Sequence, residues 1–476
     1  MGFSPSDRAG CSTGSSTGSI TGSSPGFDSA SNRVFLSRVY GLFLSLLLLT
    51  LSLMMSPVRA ELRIEITKGV DNAVRVAVVP FEWRGKRSPP ISVDDVISSD
   101  LGLSGRFEAL PVSQMLSLPN ESREVLPRDW RMLNVEYLVI GYLEPNEVKV
   151  RLHFELFDVL RQTVVSSQTI EGLPGELRDM GHHVSDVVFE KLTGIEGAFS
   201  TQIMYVTALD TDAGRQFSLN IADADGHRVN KVLESDEPIL SAAWSPDGKM
   251  IAYVSFEVDS RPSIYLHDLA TGNRQILTNF SGLNGAPSFS PDGLEMALVL
   301  SKDGNPDIYV LNLETRRLRR VTRHYGIDTE PSWTADGESI IFTSNRGGQP
   351  QIYQLRLSDF QIQRLTFEGD YNAKASLLKD GSGLIMVHRR DGIFHIALLD
   401  LNRGRLTVLT ETSLDESPSV APNSSMLIYA TQIQGEGILA AVSIDGGVKF
   451  NLPSSDGDVR EPAWSPKKIK IFRPIE

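Results

Sequence analysis

A single cysteine occurs in the 476 residues, Cys11, and it lies in a stretch that reads as a leader. The mature chain would carry no thiol, so neither disulfides nor cysteine chemistry enter its fold or function, which suits an oxidising compartment without requiring one. Long apolar runs are scarce too. The longest, from Gly41 to Met55, spans about 15 residues broken only by Ser and Thr, short of the ~20 that cross a bilayer as a helix. Arg33 and Arg38 precede it, and Val58-Arg59-Ala60 follows. A basic flank, a short apolar core and a small residue read as a secretory signal with cleavage between Ala60 and Glu61, the alternative being a membrane anchor. Residues 1–60 are therefore expected to be a signal peptide with a low-complexity leader, since residues 11–31 are almost entirely Ser, Gly and Thr. Positive charge is also in short supply. Four of the 46 basic and two of the 59 acidic side chains fall in the first 60 residues, leaving a net charge of −15 on the rest. Such a surface disfavours nucleic acid and anionic lipid. No nucleic-acid partner is expected, and no membrane span after cleavage.

A catalytic constellation is lacking as well. Gly14-Ser15-Ser16-Thr17-Gly18 and Gly22-Ser23-Ser24-Pro25-Gly26 match the spacing of a nucleophile elbow, but they sit in the low-complexity leader without a strand–turn–helix around them. His182 and His183 are helix neighbours pointing to different faces, poor geometry for one metal, and read as a solvated helix face. His267, His324, His388 and His395 fall at strands or loops of different repeats and read as structural. Most Asp residues read as turn formers, with a few that could ring a central channel and hold a cation. No cofactor is expected.

What the sequence does hold is a repeat. Trp244-Ser245-Pro246-Asp247-Gly248 returns as Phe289-Ser290-Pro291-Asp292-Gly293, Trp333-Thr334-Ala335-Asp336-Gly337, Leu377-Leu378-Lys379-Asp380-Gly381, a worn Val420-Ala421-Pro422-Asn423-Ser424, and Trp464-Ser465-Pro466. Successive copies lie 45, 44, 44, 43 and 44 residues apart. Pro, Asp and Gly in that order suit a type I turn closed by a residue with positive φ. Apolar runs such as Met250–Val254, Ile264–Leu269 and Gln275–Thr278 follow each turn as further strands. A period in the low forties built of short strands is the mark of a β-propeller. Strands at 203–207 and 217–221 have no turn copy before them, and the last copy has no strands after it. The C-terminal segment is therefore expected to complete a blade begun near residues 203–234, giving five whole blades and one shared, six in all.

Between leader and propeller, Val74–Phe81, Tyr137–Gly141 and Val148–Phe157 read as strands. A helix is expected from Val93 to Leu101 with Ser92 as N-cap, and another from about Leu173 to Leu192 stopped by Gly194. The predicted fold class is an N-terminal α/β domain with a mixed sheet (61–198), followed by an all-β six-bladed β-propeller (199–476) closed by shared terminal strands.

Arg63-Ile64-Glu65-Ile66 through Gly69-Val70-Asp71, Val78-Val79-Pro80-Phe81, Ala242-Ala243-Trp244-Ser245-Pro246-Asp247-Gly248, Asn284-Gly285-Ala286-Pro287, Thr329-Glu330-Pro331, Leu414-Asp415-Glu416-Ser417-Pro418-Ser419 and Pro462-Ala463-Trp464-Ser465-Pro466, taken in order, resemble the TolB family, the periplasmic component of the Tol-Pal system. The resemblance implies a non-enzymatic periplasmic linker that binds the lipoprotein Pal through one mouth of the propeller and TolA through the start of the mature chain. It also implies a part in outer-membrane integrity and in envelope constriction during cell division. By position, the Pal-facing residues are Asn284, Gly285, Ala286, Pro287, Thr329, Glu330, Asp415 and Glu416, in loops just before the first strand of a blade. With Glu461 these make the mouth acidic, while Gly285 and Pro287 also shape the turn. The TolA segment is Glu61, Leu62, Arg63, Ile64, Glu65, Ile66, Thr67 and Lys68, whose alternation of Leu62, Ile64 and Ile66 suits addition as an edge strand to a partner sheet. The same segment is expected to switch between docking on its own domains and engaging TolA. Leu283 stands where family members carry a basic or polar residue, Asn423-Ser424 replaces Asp-Gly, and Lys467-Lys468-Ile469-Lys470 prolongs the last copy. Two other readings remain open: a propeller of the prolyl oligopeptidase type, which needs a hydrolase domain after the propeller, and a periplasmic metabolite-binding propeller.

Overall fold

The computed structural model describes the backbone of residues 65–68, then residues 73–212, 214–452, 457–466 and 470–475. The expected leader, its cleavage point and Glu61 to Ile64 lie outside the described residues. After a short strand β1 (Glu65–Lys68), the chain builds a sheet from β2 (Val74–Val78), β3 (Glu82–Trp83), β4 (Phe107–Ala109), β5 (Tyr137–Pro145), β6 (Val150–Asp158) and β7 (Thr163–Gly172). The order is β4-β2-β5-β6-β7 with β3 also beside β5; β2 runs parallel to β4 and β5, whereas β5, β6 and β7 are antiparallel. The sheet is therefore mixed, as expected. The strand read as continuous to Phe81 breaks after Val78, where Pro80 has no N–H to give a ladder.

Alternation along β2 assigns the layers. Val76 and Val78 pack with α1 (Val93–Leu103) and α3 (Leu177–Thr193), through Ile97, Leu101, Met180, Val184 and Val188. Ala77 and Val79 pack on the other face with Trp130 of α2 (Pro127–Met132). Ser92 caps α1 by accepting from Asp95 N–H, and Gly194 ends α3 at φ 74°.

The propeller has six four-stranded blades, with innermost strands Ile239–Trp244, Asn284–Phe289, Asp328–Trp333, Asn372–Leu377, Glu416–Val420 and Asp458–Trp464 in blades one to six. The last is the closing strand. It pairs antiparallel with β8 (Gln202–Thr211), which is followed outward by β9 (Gly214–Asp223) and β10 (Asn230–Ser235). Thus blade six is shared by both ends of the propeller, as the repeat arithmetic requires. The turn motif works as its residues suggest: Ser245, Ser290 and Thr334 hydroxyls donate to Asp247, Asp292 and Asp336, and the closing glycines have φ near +70° (Gly248 71°, Gly293 74°, Gly337 72°). The tryptophans of the first and third copies also have a task. Trp244 Nε1 donates to Ala463 O and Trp333 Nε1 to Ser288 O, both at 3.0 Å, tying one blade to the blade before it. Among the described residues no helix is long and apolar enough to cross a membrane.

Candidate functional site

Each innermost strand carries a register shift near its start, and the residue within it has positive φ: Ser241 (52°), Ala286 (46°), Glu330 (53°), Lys374 (48°), Ser417 (54°) and Glu461 (52°). None is glycine, so each bulge is held against a local preference for negative φ. Innermost strands line the central channel, so these six residues form a ring around it. Glu330 Oε2 accepts from Lys374 N and from Thr343 Oγ1, both at 2.8 Å, and Glu461 Oε2 accepts from Ser241 N at 3.3 Å. A carboxylate in one blade thus satisfies the bulged N–H of the next. Lys374 Nζ reaches Ser417 Oγ at 2.7 Å and Glu461 Oε2 at 3.2 Å, spanning three blades. Burial alone would lower the Lys374 pKa, but Glu461, Glu330 and Glu416 outweigh it and the net shift is upward. The channel therefore has its own cation in this ammonium.

Two residues before the bulge in blades two to five, a second set pins the loops that enter the blades. Asn284, Asp328, Asn372 and Asp415 are fully buried. Asn284 donates to Phe280 O at 2.7 Å and accepts from Phe280 N at 3.0 Å. Asp328 accepts from Ser344 Oγ (2.6 Å) and Arg346 Nη2 (2.7 Å), Asn372 donates to Glu368 O (2.8 Å), and Asp415 accepts from Thr410, Thr412 and Thr431.

These placements correct the loop assignment. Asn284–Pro287 and Thr329–Glu330 lie within innermost strands, Glu416 begins one, and Asp415 sits just before it. Gly285 and Pro287 are buried, whereas Ala286, Thr329, Glu330 and Glu416 are half-buried. The acidic mouth is corrected too: Asp415 is turned inward, and Glu330 and Glu461 are bonded within the ring. Beside polar residues such as Arg323, Glu368 and Asp370, the entry loops of blades two, three and four expose an apolar set: Phe280, Leu283, Tyr325 (85 % exposed), Ile327 and Phe367 (76 % exposed). Tyr325 lies against His324 with ring centres 4.1 Å apart, and Lys302 Nζ sits 5.6 Å from the Phe280 ring centre. Sequence reasoning passed over this arc, although an aromatic beside Gly in each of Phe280-Ser281-Gly282, Tyr325-Gly326 and Phe367-Glu368-Gly369 was its signal.

Of the expected TolA segment, Glu65–Lys68 is described as β1, which adds antiparallel to the outermost strand of blade five, with Glu65 opposite Asn451 and Ile66 opposite Phe450. It lies on the blade's outer edge, apart from the mouth.

A second polar cluster joins the two domains. His182 is corrected here from a solvated helix face to a buried position, because α3 packs on its own sheet with one side and meets blade six with another. His182 Nδ1 lies 2.8 Å from Asp100 Oδ2 of α1, and its Nε2 is 3.7 Å from Asp223 Oδ2. Arg178 reaches Asp223 (3.2 Å) and Asp225, and Arg228 reaches Asp223 (2.7 Å) and Asp179 (3.1 Å). Burial depresses the His182 pKa, yet the carboxylates, Asp100 foremost, push it up to about 10. Burial raises Asp100, whereas the cations around Asp223 and Asp225 hold both below the usual carboxylate range despite burial. Asp100, His182 and Asp225 offer ligand atoms within 4.8 Å of one another, but the protonated His182 beside Asp100 and Arg178 on Asp225 already neutralise this set. It is an interdomain ion-pair network. Beside it lies a cavity of about 420 Å³ lined by Phe107, Phe189, Phe199, Met426 and Phe450.

Two family models match the chain: the TolB amino-terminal domain over residues 62–165 and the TolB beta propeller domain over residues 189–468. The chain is 60% identical over 419 residues to a Tol-Pal system protein TolB of Alcanivorax borkumensis, covering 88% of this chain and 96% of that protein. It is 58% identical over 422 residues to that of a Marinomonas species, covering 88% and 97%. The crystal structure of TolB from Acinetobacter baumannii matches with a TM-score of 0.80 at 43% identity, covering 86% of this chain and all of that one.

Proposed function

The chain belongs to the TolB family of Tol-Pal system proteins, and we propose that within that system it is a non-enzymatic periplasmic linker, joining the lipoprotein Pal at the propeller mouth to TolA at the N-terminal segment. In this role it supports outer-membrane integrity and envelope constriction during division.

The observation that carries the reading is the exposed arc of Phe280, Leu283, Tyr325, Ile327 and Phe367 around the ring that contains Ala286 and next to Thr329. Aromatic and aliphatic side chains held out by pinned loops are the composition of an interface core. Pal docks over this arc, with Ala286 and Thr329 at its floor. The N-terminal segment, whose described part already forms an edge strand, adds in the same way to a sheet of TolA. A four-residue pairing at a chain end is held by little, so the segment exchanges between blade five and the partner.

The test is titration of the soluble domain of Pal. Ala286→Trp and Thr329→Arg should each weaken binding by about tenfold or more, ~1.4 kcal/mol, with unfolding nearly unchanged. The left-handed backbone at Ala286 is no obstacle to a larger side chain, because Glu330, Lys374 and Glu461 occupy the same conformation in other blades. Equal affinity for both variants would place the docking face elsewhere. Deleting Glu61–Lys68 should abolish TolA capture and change Pal affinity, since coupling between two sites is reciprocal. Unchanged Pal affinity would make the segment a plain tether.

A further inference from the structure

The closing strand Asp458–Trp464 does not end the chain's structure. Ser465 N donates to Gln202 O at 2.8 Å and Trp464 Nε1 to Thr201 Oγ1 at 2.8 Å, fastening the end of the ring to the entry of β8. Residues 470–475 then lie on the N-terminal domain. Phe472 is only 5 % exposed and belongs to that domain's core with Ile170, Leu177 and Met180. Its ring meets His183 edge-on at 5.7 Å. Gly172 makes the room: a Cβ there would stand 3.1 Å from the Phe472 ring and 2.8 Å from Met180 Sδ. Lys470 Nζ pairs with Glu176 Oε1 and holds that carboxyl below its usual range. Ile475 N donates to Thr169 O of β7 at 2.8 Å, covering part of the sheet's edge strand.

We propose that residues 470–475 are a detachable strap that fixes the N-terminal domain in one orientation on the propeller, drawn from the same strand that closes the ring. The plug is deep, but the strap is slight. Phe472 is the one buried side chain among residues 470–475, and Ile471 beside it is 72 % exposed. Segments with few buried contacts open well below the global unfolding free energy. Release therefore withdraws one ring from the N-terminal core and frees the two domains to pivot about the ion-pair network of Arg178, His182 and Asp225 while the rest of both cores stays closed. The proposal stands independently of which partners the protein binds.

Residues 61–476 contain no cysteine, so in protein of that span Arg123→Cys and Lys249→Cys, both on exposed side chains of separate domains, accept a clean spin-label pair. The unshortened span should give one narrow distance distribution. Phe472→Ala, Ile475→Pro and a chain stopped after Pro466 should each broaden it, and amide exchange at Thr169–Gly172 should rise about tenfold while the propeller stays protected. An excess of synthetic peptide of residues 467–476 should restore the narrow distribution to the shortened chain. An unchanged distribution in all three variants overturns the proposal. So does loss of α3 protection that the peptide does not restore, because the tail would then be an integral part of the domain core.

Discussion

Replacing Lys374 by Met keeps most of the aliphatic stem and removes the charge that spans three blades. Glu461 is then left with the Ser241 N–H at 3.3 Å, and Ser417 Oγ loses the donor at 2.7 Å. Breaking a fully buried ion pair from one side costs about 3–5 kcal/mol. Here 34% of the lysine side chain and 21% of the glutamate side chain remain accessible, so screening reduces the expectation to ~1–3 kcal/mol. Glu461→Gln in the Lys374→Met background should recover part of the loss, because a neutral amide oxygen still accepts from Ser241 N–H. Urea unfolding of the four proteins of this double-mutant cycle should give a coupling energy of about 1–2 kcal/mol. The sign with pH follows from the upward shift: the contribution is complete below the ordinary lysine pKa of 10.5 and is lost only as pH rises through the higher folded-state value. The difference between parent and variant should therefore be flat from pH 6 to 9. A loss under ~0.5 kcal/mol with no coupling would refute the view that the lysine ties the ring together.

The interdomain network has the opposite visibility in pH. His182 is held protonated to about pH 10 against an ordinary 6.5, so its contribution is complete below 6.5 and fades as pH rises toward 10. His182→Gln should lower stability more at pH 6 than at pH 9.5 by chemical denaturation; an equal loss at both would mean that the imidazole is neutral in the fold. Trp333→Phe removes the Nε1–H bond to Ser288 O and should cost about 1 kcal/mol in urea unfolding, with no misfolding, since Phe289 fills the equivalent place in blade two; a neutral effect would show that water replaces the donor.

The propeller was legible because its turns are chemically constrained. A residue free to take φ near +70° closes each Asp-Gly turn, so glycine recurs at Gly248, Gly293, Gly337 and Gly381 and the period stands out. The ring of bulges recurs just as regularly, yet Ser, Ala, Glu, Lys, Ser and Glu occupy it, and no residue type marks it. Its left-handed backbone is imposed by bonds between blades rather than by local preference. The mouth was misread for a related reason. Asn284, Asp328, Asn372 and Asp415 look like exposed polar residues in a one-dimensional pattern, whereas each is turned inward to hold its loop, leaving the intervening aromatics outside. His182 was hidden because a helix clasped between a sheet and a second domain has little solvated face. Asn423, which spoils the fifth copy of the turn, has its explanation in the same clasp: Asn423 Nδ2 donates to Glu196 O at 2.8 Å, so this turn meets the N-terminal domain instead of solvent.

The central claim, that the apolar arc around the bulge ring is the docking face for Pal, is tested most directly by amide exchange of the protein with and without the soluble domain of Pal. Protection is predicted over residues 279–287, 323–332 and 366–374, in three consecutive blades, with the Asp-Gly turns at 245–248, 290–293 and 334–337 unaffected. Protection confined to those turns or to the N-terminal sheet, with the arc exchanging as in the free protein, would contradict the account.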